Sequence, residues 1–246
     1  MKYQGTGIQK IEQGLREMLP GVRILRMDQD TTRRKGSHIT ILNEFSERNA
    51  DILLGTQMVA KGLNFPGVAL VGVIQADSGL HFPDFRASER TFQLLTQVSG
   101  RAGRADNLGR VVIQTYNPEE IAIKSASMHD YECFFNSELS NREELSYPPF
   151  SKLARVVVEG KNESEVVFFS ETVRRQLLAA APEGLKILGP APAVLEKIDN
   201  QTRYSLLIKS RNTQVLNTAL SEVWRRSAER CSTIRTIIDV DPVNML

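Results

Sequence analysis

Residues 51–66 read DILLGTQMVAKGLNFP. The apolar run Ile52-Leu53-Leu54 followed by Gly55 and Thr56 predicts a short buried strand that ends in a small-residue turn. A parallel strand of this kind delivers a hydroxyl and backbone N–H groups to the carboxyl edge of its sheet, where ligands of open α/β sheets bind. Working outward, Ile8, Ile11, Leu15 and Met18 recur at helical spacing until Pro20 and Gly21 stop them. Residues 22–27 then read as a strand and 38–48 as an amphipathic helix. β-branched strands are expected at 52–54, 68–74 and 111–115, with a helix over 87–97 between the last two. This alternation predicts a parallel sheet with helices on both faces.

A second stretch, QVSGRAGR at 97–104, follows that last helix. It places Arg101 and Arg104 three residues apart among small residues, and two guanidiniums on a backbone that glycine lets close up make a fork suited to phosphate oxygens. The rest of a nucleotide site is not in the sequence. No GxxxxGK[ST] phosphate loop occurs, and no Asp-Glu pair closes an apolar strand. Cys133 and Cys231 are solitary, and His38, His81 and His129 show no ligand spacing.

The two stretches resemble motifs V and VI of superfamily 2 helicases, in that order. GTGIQKIEQGL (5–15), RMDQDTT (26–32), GTQMVAKGLNFPGVALVGVIQAD (55–77) and PDFRASERTFQLLTQVSGRAGR (83–104) extend the match, as do YPPF (147–150), LGPAPA (188–193) and DVDP (239–242). Read together they resemble the PriA family of primosomal replication-restart DNA helicases over nearly the whole chain. The resemblance implies a second RecA-like motor lobe, with ATP and Mg2+ held between it and a first lobe upstream. Arg101 and Arg104 would then act on the phosphates as catalytic residues, with Gln97 beside them. Gly62 and Asn64 would line the nucleotide cleft, while Thr56 and Gln57 would hold the backbone of the tracked strand. Relatives commonly have histidine or aspartate where this chain has Asn64, so a carboxylate or imidazole role there is in question. The family's zinc module would lie upstream, so the chain alone is expected to bind no cofactor and to turn over no ATP. The resemblance also implies DNA forks, single-stranded DNA, single-strand-binding protein and primosome proteins as partners, and 3' to 5' travel.

Composition fits without deciding. The 246 residues exceed the usual domain of about 100 to 150, and 41% hydrophobic content allows two modest cores. A formal net charge of +2 means that any nucleic-acid surface must be a local patch. The sparse cysteines, with no signal peptide and no apolar run of membrane-spanning length, point to the cytoplasm and away from membranes.

Residues 118–145 read as helical, with Tyr131, Phe134, Phe135 and Leu139 as a packing stripe. Tyr147-Pro148-Pro149-Phe150 stiffens the chain and marks a boundary between domains 1–146 and 147–246. Beyond it the expected order is strand 153–159, helix 164–181, strands 186–188 and 203–209, helix 213–230 and strand 233–240, with an additional short strand at 194–197. A β-α-β-β-α-β order suggests a small α+β, ferredoxin-like sandwich. Trp224, near Leu216 and Leu220 at helical spacing, is expected in the core. Arg174, Arg175, Arg225, Arg226 and Arg230 read as a solvated face. Lys197, Arg203 and Tyr204, around the turn at 199–201, are the candidates for touching DNA or a protein partner, with Arg203 first. Three alternatives stay open: another superfamily 2 translocase, a non-enzymatic module recruiting DNA or single-strand-binding protein, and a free-standing anion-binding α/β domain.

Overall fold

The computed structural model describes residues 7–28, 31, 37–56, 67–100, 109–181, 183–228 and 233–245. The chain divides into two compact units, residues 1–82 with 86–134 and residues 83–85 with 135–246.

The first unit runs α1 (Ile8–Met18), β1 (Ile24–Met27), α2 (Ser37–Ser46), β2 (Ile52–Gly55), β3 (Leu70–Val73), a 3-10 turn (Ala76–Gly79), α3 (Ala87–Ser99), β4 (Arg110–Ile113), α4 (Ile121–Met128) and the start of α5 (Tyr131–Leu145). Its strands pair in parallel, β1 with β2 and β3 with β4. An ion pair flanks the first register. Arg23 lies one residue before the Ile24↔Ile52 match and donates from Nη2 to Asp51 Oδ1 at 2.8 Å and from Nε to Oδ2 at 3.1 Å. Hydrogen bonds from the Arg23 side chain and backbone hold the Asp51 carboxyl down to about 2.

α3 buries Ala87, Thr91, Phe92, Leu95 and Val98, one stripe of a helix. Against it pack Ala122, Ile123 and Ala126 of α4 and Phe134 of α5. Phe92 and Phe134 stack with centroids 4.2 Å apart and planes 2° from parallel. The expected single helical region over 118–145 is two helices. His129 adopts φ 56°, which ends α4, and Asp130 Oδ1 accepts from the Cys133 amide at 2.9 Å to cap α5. The expected stripe narrows accordingly: Phe134 is buried, whereas Tyr131 and Phe135 are exposed.

The second unit continues from α5 through β5 (Lys152–Gly160), α6 (Glu163–Ala180), β6 (Lys186–Ile198), β7 (Gln201–Ser210), α7 (Thr213–Ala228) and β8 (Ile234–Val240). The sheet order is β6-β7-β5-β8 and each described pair is antiparallel. This is the ferredoxin-like arrangement of a split βαβ. Ala154, Val156 and Val158 of β5 and Leu206 and Ile208 of β7 face Val166, Val173 and Leu177 of α6 and Leu216, Ala219, Leu220 and Val223 of α7. Both helices start on an asparagine: Asn162 Oδ1 accepts from the Ser164 amide at 3.0 Å, and Asn212 Oδ1 from that of Gln214 at 2.8 Å.

Two expectations are corrected in this unit. The additional strand at 194–197 is the continuation of β6, whose pairing with β7 shifts register between Leu188 and Ala191 and again between Pro192 and Lys197. Prolines suit that position, because β6 is an edge of the described sheet. Trp224 is 59% exposed rather than core. The inward line of α7 runs through Leu216, Ala219, Leu220 and Val223, and Trp224 sits on its flank, one residue or about 100° past Val223.

Candidate functional site

The carboxyl edge of the β1–β2 pair carries the first site. The register ends at Met27↔Gly55, so Asp28 and Thr56 are the next residues on their strands. Asp28 is buried and closes a reciprocal turn: its amide donates to Thr31 Oγ1 at 2.9 Å, and the Thr31 amide donates to Asp28 Oδ1 at 2.8 Å. The Thr31 hydroxyl returns to the Asp28 carbonyl at 3.1 Å. Arg26 stands between two carboxylates, 3.1 Å from Asp28 Oδ2 and 3.2 Å from Glu12 Oε2. These contacts give Arg26, Asp28 and Thr31 a structural role in stiffening the edge. Thr56 beside it is exposed, which leaves its hydroxyl open to a phosphodiester or water.

Gln97 is exposed near the end of α3, opposite the Phe92 and Leu95 stripe. Gln57, Gly62, Asn64, Arg101 and Arg104 lie outside the described residues.

Asp77 is a residue that the sequence reading passed over. Just past the carboxyl end of β3, it accepts from Thr115 Oγ1 at 2.7 Å, from the Tyr116 amide at 2.9 Å and from the Asn117 amide at 3.3 Å. Burial pushes its pKa up, but the Thr115 hydroxyl and backbone amides outweigh it and leave the carboxyl below its ordinary value. The available signal was the acid of IQAD, directly after an apolar strand. Asp77 binds the loops after two paired strands together, a positioning task at the carboxyl end of the β3–β4 pair.

The second unit separates the three residues expected to act together. Tyr204 packs on the helix-side core, whereas Arg203, its neighbour on β7, faces the other side of the sheet because strand side chains alternate. Arg203 is 9% exposed, lies 3.4 Å from Glu159 Oε2 and donates from Nη1 to the Leu195 carbonyl at 3.5 Å. Its guanidinium is committed to the fold, which corrects its place as first choice for an outside partner. Lys197, across from Thr202 at the sheet edge, is exposed. The face of the sheet around Arg203 is a charge lattice in which Glu159 lies within 3.4 Å of both Arg203 and Arg235, and Arg155 within 3.7 Å of Asp239. Burial lowers the Arg155 pKa and Arg203 adds repulsion, while Asp239 opposes both. Arg174 and Arg225 are exposed, in keeping with the expected solvated face, and lie 3.8 Å from Glu171 and 2.7 Å from Glu222.

Among the described residues there is no group of three or more His, Cys, Asp or Glu able to hold a metal, and no helix long and apolar enough to cross a membrane.

Comparison with known proteins fits this two-part architecture. Residues 5–106 match the helicase conserved C-terminal domain, and residues 143–243 match the primosomal protein N C-terminal domain. The chain belongs to the PriA family, in its C-terminal part. It is 44% identical over 249 residues to the replication restart protein PriA of Bacillus subtilis, covering 100% of this chain and 31% of that protein. The PriA of Chlamydia trachomatis is 40% identical over 99% of this chain and 32% of its own length. That of Synechocystis sp. is 42% identical over 100% of this chain and 29% of its own length. The chain thus spans about a third of the length of these curated relatives. Within the PriA-family frame, Asp28, Thr56 and Asp77 belong to the helicase lobe and Lys197 to the C-terminal domain.

Proposed function

We propose that the chain supplies the second motor lobe and the C-terminal domain of an ATP-dependent DNA helicase acting in replication restart. The observation that carries this is the order of a helicase C-terminal domain and a primosomal C-terminal domain along one chain, with a parallel β1–β2 edge presenting Thr56.

ATP with Mg2+ is the group to be accommodated. The donor set here suits only part of it: an exposed amide on Gln97, followed in sequence by Arg101 and Arg104, fits phosphate oxygens. Nothing in the sequence supplies a phosphate loop or a paired magnesium carboxylate, so a complete site needs a second lobe. Bound ATP would supply a phosphoryl group on which negative charge develops during hydrolysis. Arg101 and Arg104 would neutralise that charge, an effect worth about a thousandfold or more in rate for a well-placed arginine. Gln97 would orient the phosphates, and Gly62 and Asn64 would close on the ribose side. Thr56 and Gln57 would hold the sugar-phosphate backbone through uncharged hydrogen bonds, giving grip without sequence reading. Lobe closure and opening would then move the strand. Zinc belongs, in this reading, to a module outside these residues.

The C-terminal domain is read as the part that contacts DNA forks, single-stranded DNA or single-strand-binding protein, with exposed Lys197 leading. The setting is the cytoplasm. The test uses the full-length protein. Arg104→Ala should abolish DNA-stimulated ATP hydrolysis while DNA affinity stays within about twofold, and Thr56→Ala should weaken the stimulation more than ATP binding. The 246-residue chain alone should hydrolyse no ATP, even with DNA present. Preserved turnover in Arg104→Ala overturns the arginine assignment.

A further inference from the structure

Tyr116 is 89% exposed, the most exposed large apolar or aromatic side chain among the described residues. Its ring stands in water, yet the backbone beneath it is fixed. β4 ends at Ile113, and the ladder with β3 runs on through the Gln114 amide to the Val73 carbonyl at 2.8 Å and the Ala76 amide to the Gln114 carbonyl at 3.0 Å. The next three residues then gather on Asp77. Its carboxylate accepts from the Thr115 hydroxyl at 2.7 Å, the Tyr116 amide at 2.9 Å and the Asn117 amide at 3.3 Å. The Asn117 amide also reaches Thr115 Oγ1 at 3.0 Å. Thr115 thus turns its side chain inward, whereas Tyr116 gives the mount only its amide and leaves its ring outside.

The facing turn is held as firmly. The Ser78 hydroxyl donates to the Gln75 carbonyl at 2.6 Å, and Gln75 sits at φ 55°, a left-handed conformation that costs a residue with a side chain and clusters at ligand-holding loops. Both loops leave the carboxyl end of a parallel pair, where ligands of open α/β sheets bind. A ring on a rigid mount loses little freedom when something stacks on it.

The occupant follows from what the loop offers. Lys124, further along, is paired with Glu119 at 2.6 Å, so the loop presents a ring rather than a charge. A flat aromatic face suits the face of a nucleobase, and such stacking tolerates any sequence. Pockets for single small ligands enclose most of the ligand's surface, whereas this ring is bare, which suits successive bases of an open polymer.

We propose that Tyr116 is a stacking platform for an unpaired base of single-stranded DNA at the carboxyl end of the β3–β4 pair. The contact deepens the proposed motor function, on which its part in strand movement rests, by adding a hold on the bases to the backbone grip read for Thr56.

The experiment uses the full-length protein and fluorescence anisotropy with oligothymidylate. Tyr116→Ala keeps the backbone mount, and should weaken binding at least about fivefold, while Tyr116→Phe stays within about twofold of wild type. The slope of log affinity against log salt should not change in Tyr116→Ala, because no phosphate contact is lost. A strand of abasic residues should bind wild type and Tyr116→Ala alike. Single strands carrying 5-iodouracil should crosslink to Tyr116 on irradiation, with the site read by mass spectrometry. Unaltered affinity in Tyr116→Ala, or an equal loss on the abasic strand, overturns the platform. A raised KM for ATP with undiminished DNA affinity assigns the ring to the nucleotide's adenine and overturns it too. If wild type shows DNA-stimulated ATP hydrolysis and Tyr116→Ala binds DNA normally, the motor reading stands and the platform fails. If the base-dependent loss appears and wild type hydrolyses no ATP, the platform stands and the motor reading fails.

Discussion

The Thr115 hydroxyl donates to the Asp77 carboxylate at 2.7 Å, which ties the loop after β4 to the turn after β3. Two backbone amides, of Tyr116 and Asn117, share that carboxylate, and Asp77 is 6% exposed. Removing it takes the shared acceptor from three part-buried hydrogen bonds, so Asp77→Ala should lower the unfolding free energy of the first unit by about 1–2 kcal/mol in urea titration. The folded pKa lies below its ordinary value, so the contribution is present above the unfolded pKa and is lost as pH falls through the folded one. The acid limb of the stability profile should be shallower in Asp77→Asn than in wild type. Unchanged acid sensitivity would show that the carboxylate carries no such linkage.

Gly189 has φ +93°, and a Cβ built there would stand 2.6 Å from the Ser205 carbonyl oxygen of β7. Backbone on both sides leaves little room to give way. Gly189→Ala should therefore cost roughly 2 kcal/mol or more and loosen the β6–β7 pairing beside the Leu188/Ala191 shift. Denaturant midpoints of the two chains check it.

Lys209 is buried, and desolvation together with the charge of Lys186 holds its pKa down to about 8. Its unfolded value is the ordinary one, 10.5. Between these values the folded state binds fewer protons than the unfolded state, so stability rises with pH across that window and the penalty is fully present below it. Burial also raises the Tyr147 pKa, with Asp84 adding to it, so the tyrosine does not oppose this trend until more alkaline pH. The melting temperature should climb from pH 8 to about pH 10, and Lys209→Met should flatten the climb.

Much of this was legible before any coordinates. The strand Ile52-Leu53-Leu54 with its following glycine and threonine, the helical spacing of α1 and the strand-helix order of the second unit are local patterns, set by side-chain period and by turn residues. The misreadings of Trp224 and Arg203 were of facing rather than of type. Trp224 has the right spacing for the core, yet the centre of the stripe falls one residue earlier. Arg203 and Tyr204 look like one basic-aromatic patch in sequence but occupy opposite faces of β7. Asp77 was hidden because its partner, Thr115, lies tens of residues away.

The split between Arg203 and Lys197 makes the last prediction. Arg203 and Glu159 are an ion pair with little exposure, and Arg203→Ala leaves a partly buried carboxylate whose remaining ion-pair partner among the described residues is Arg235. That variant should lose about 2 kcal/mol or more of stability, so any loss of DNA affinity in it mixes folding with binding. Lys197 is exposed and its removal should move stability by less than about 0.5 kcal/mol. A phosphate contact from Lys197 adds one released counterion, so Lys197→Ala should weaken binding of single-stranded DNA and reduce the slope of log affinity against log salt by about 0.7. Fluorescence anisotropy across a salt series measures both quantities, and an unaltered slope with unaltered affinity removes Lys197 from the interface.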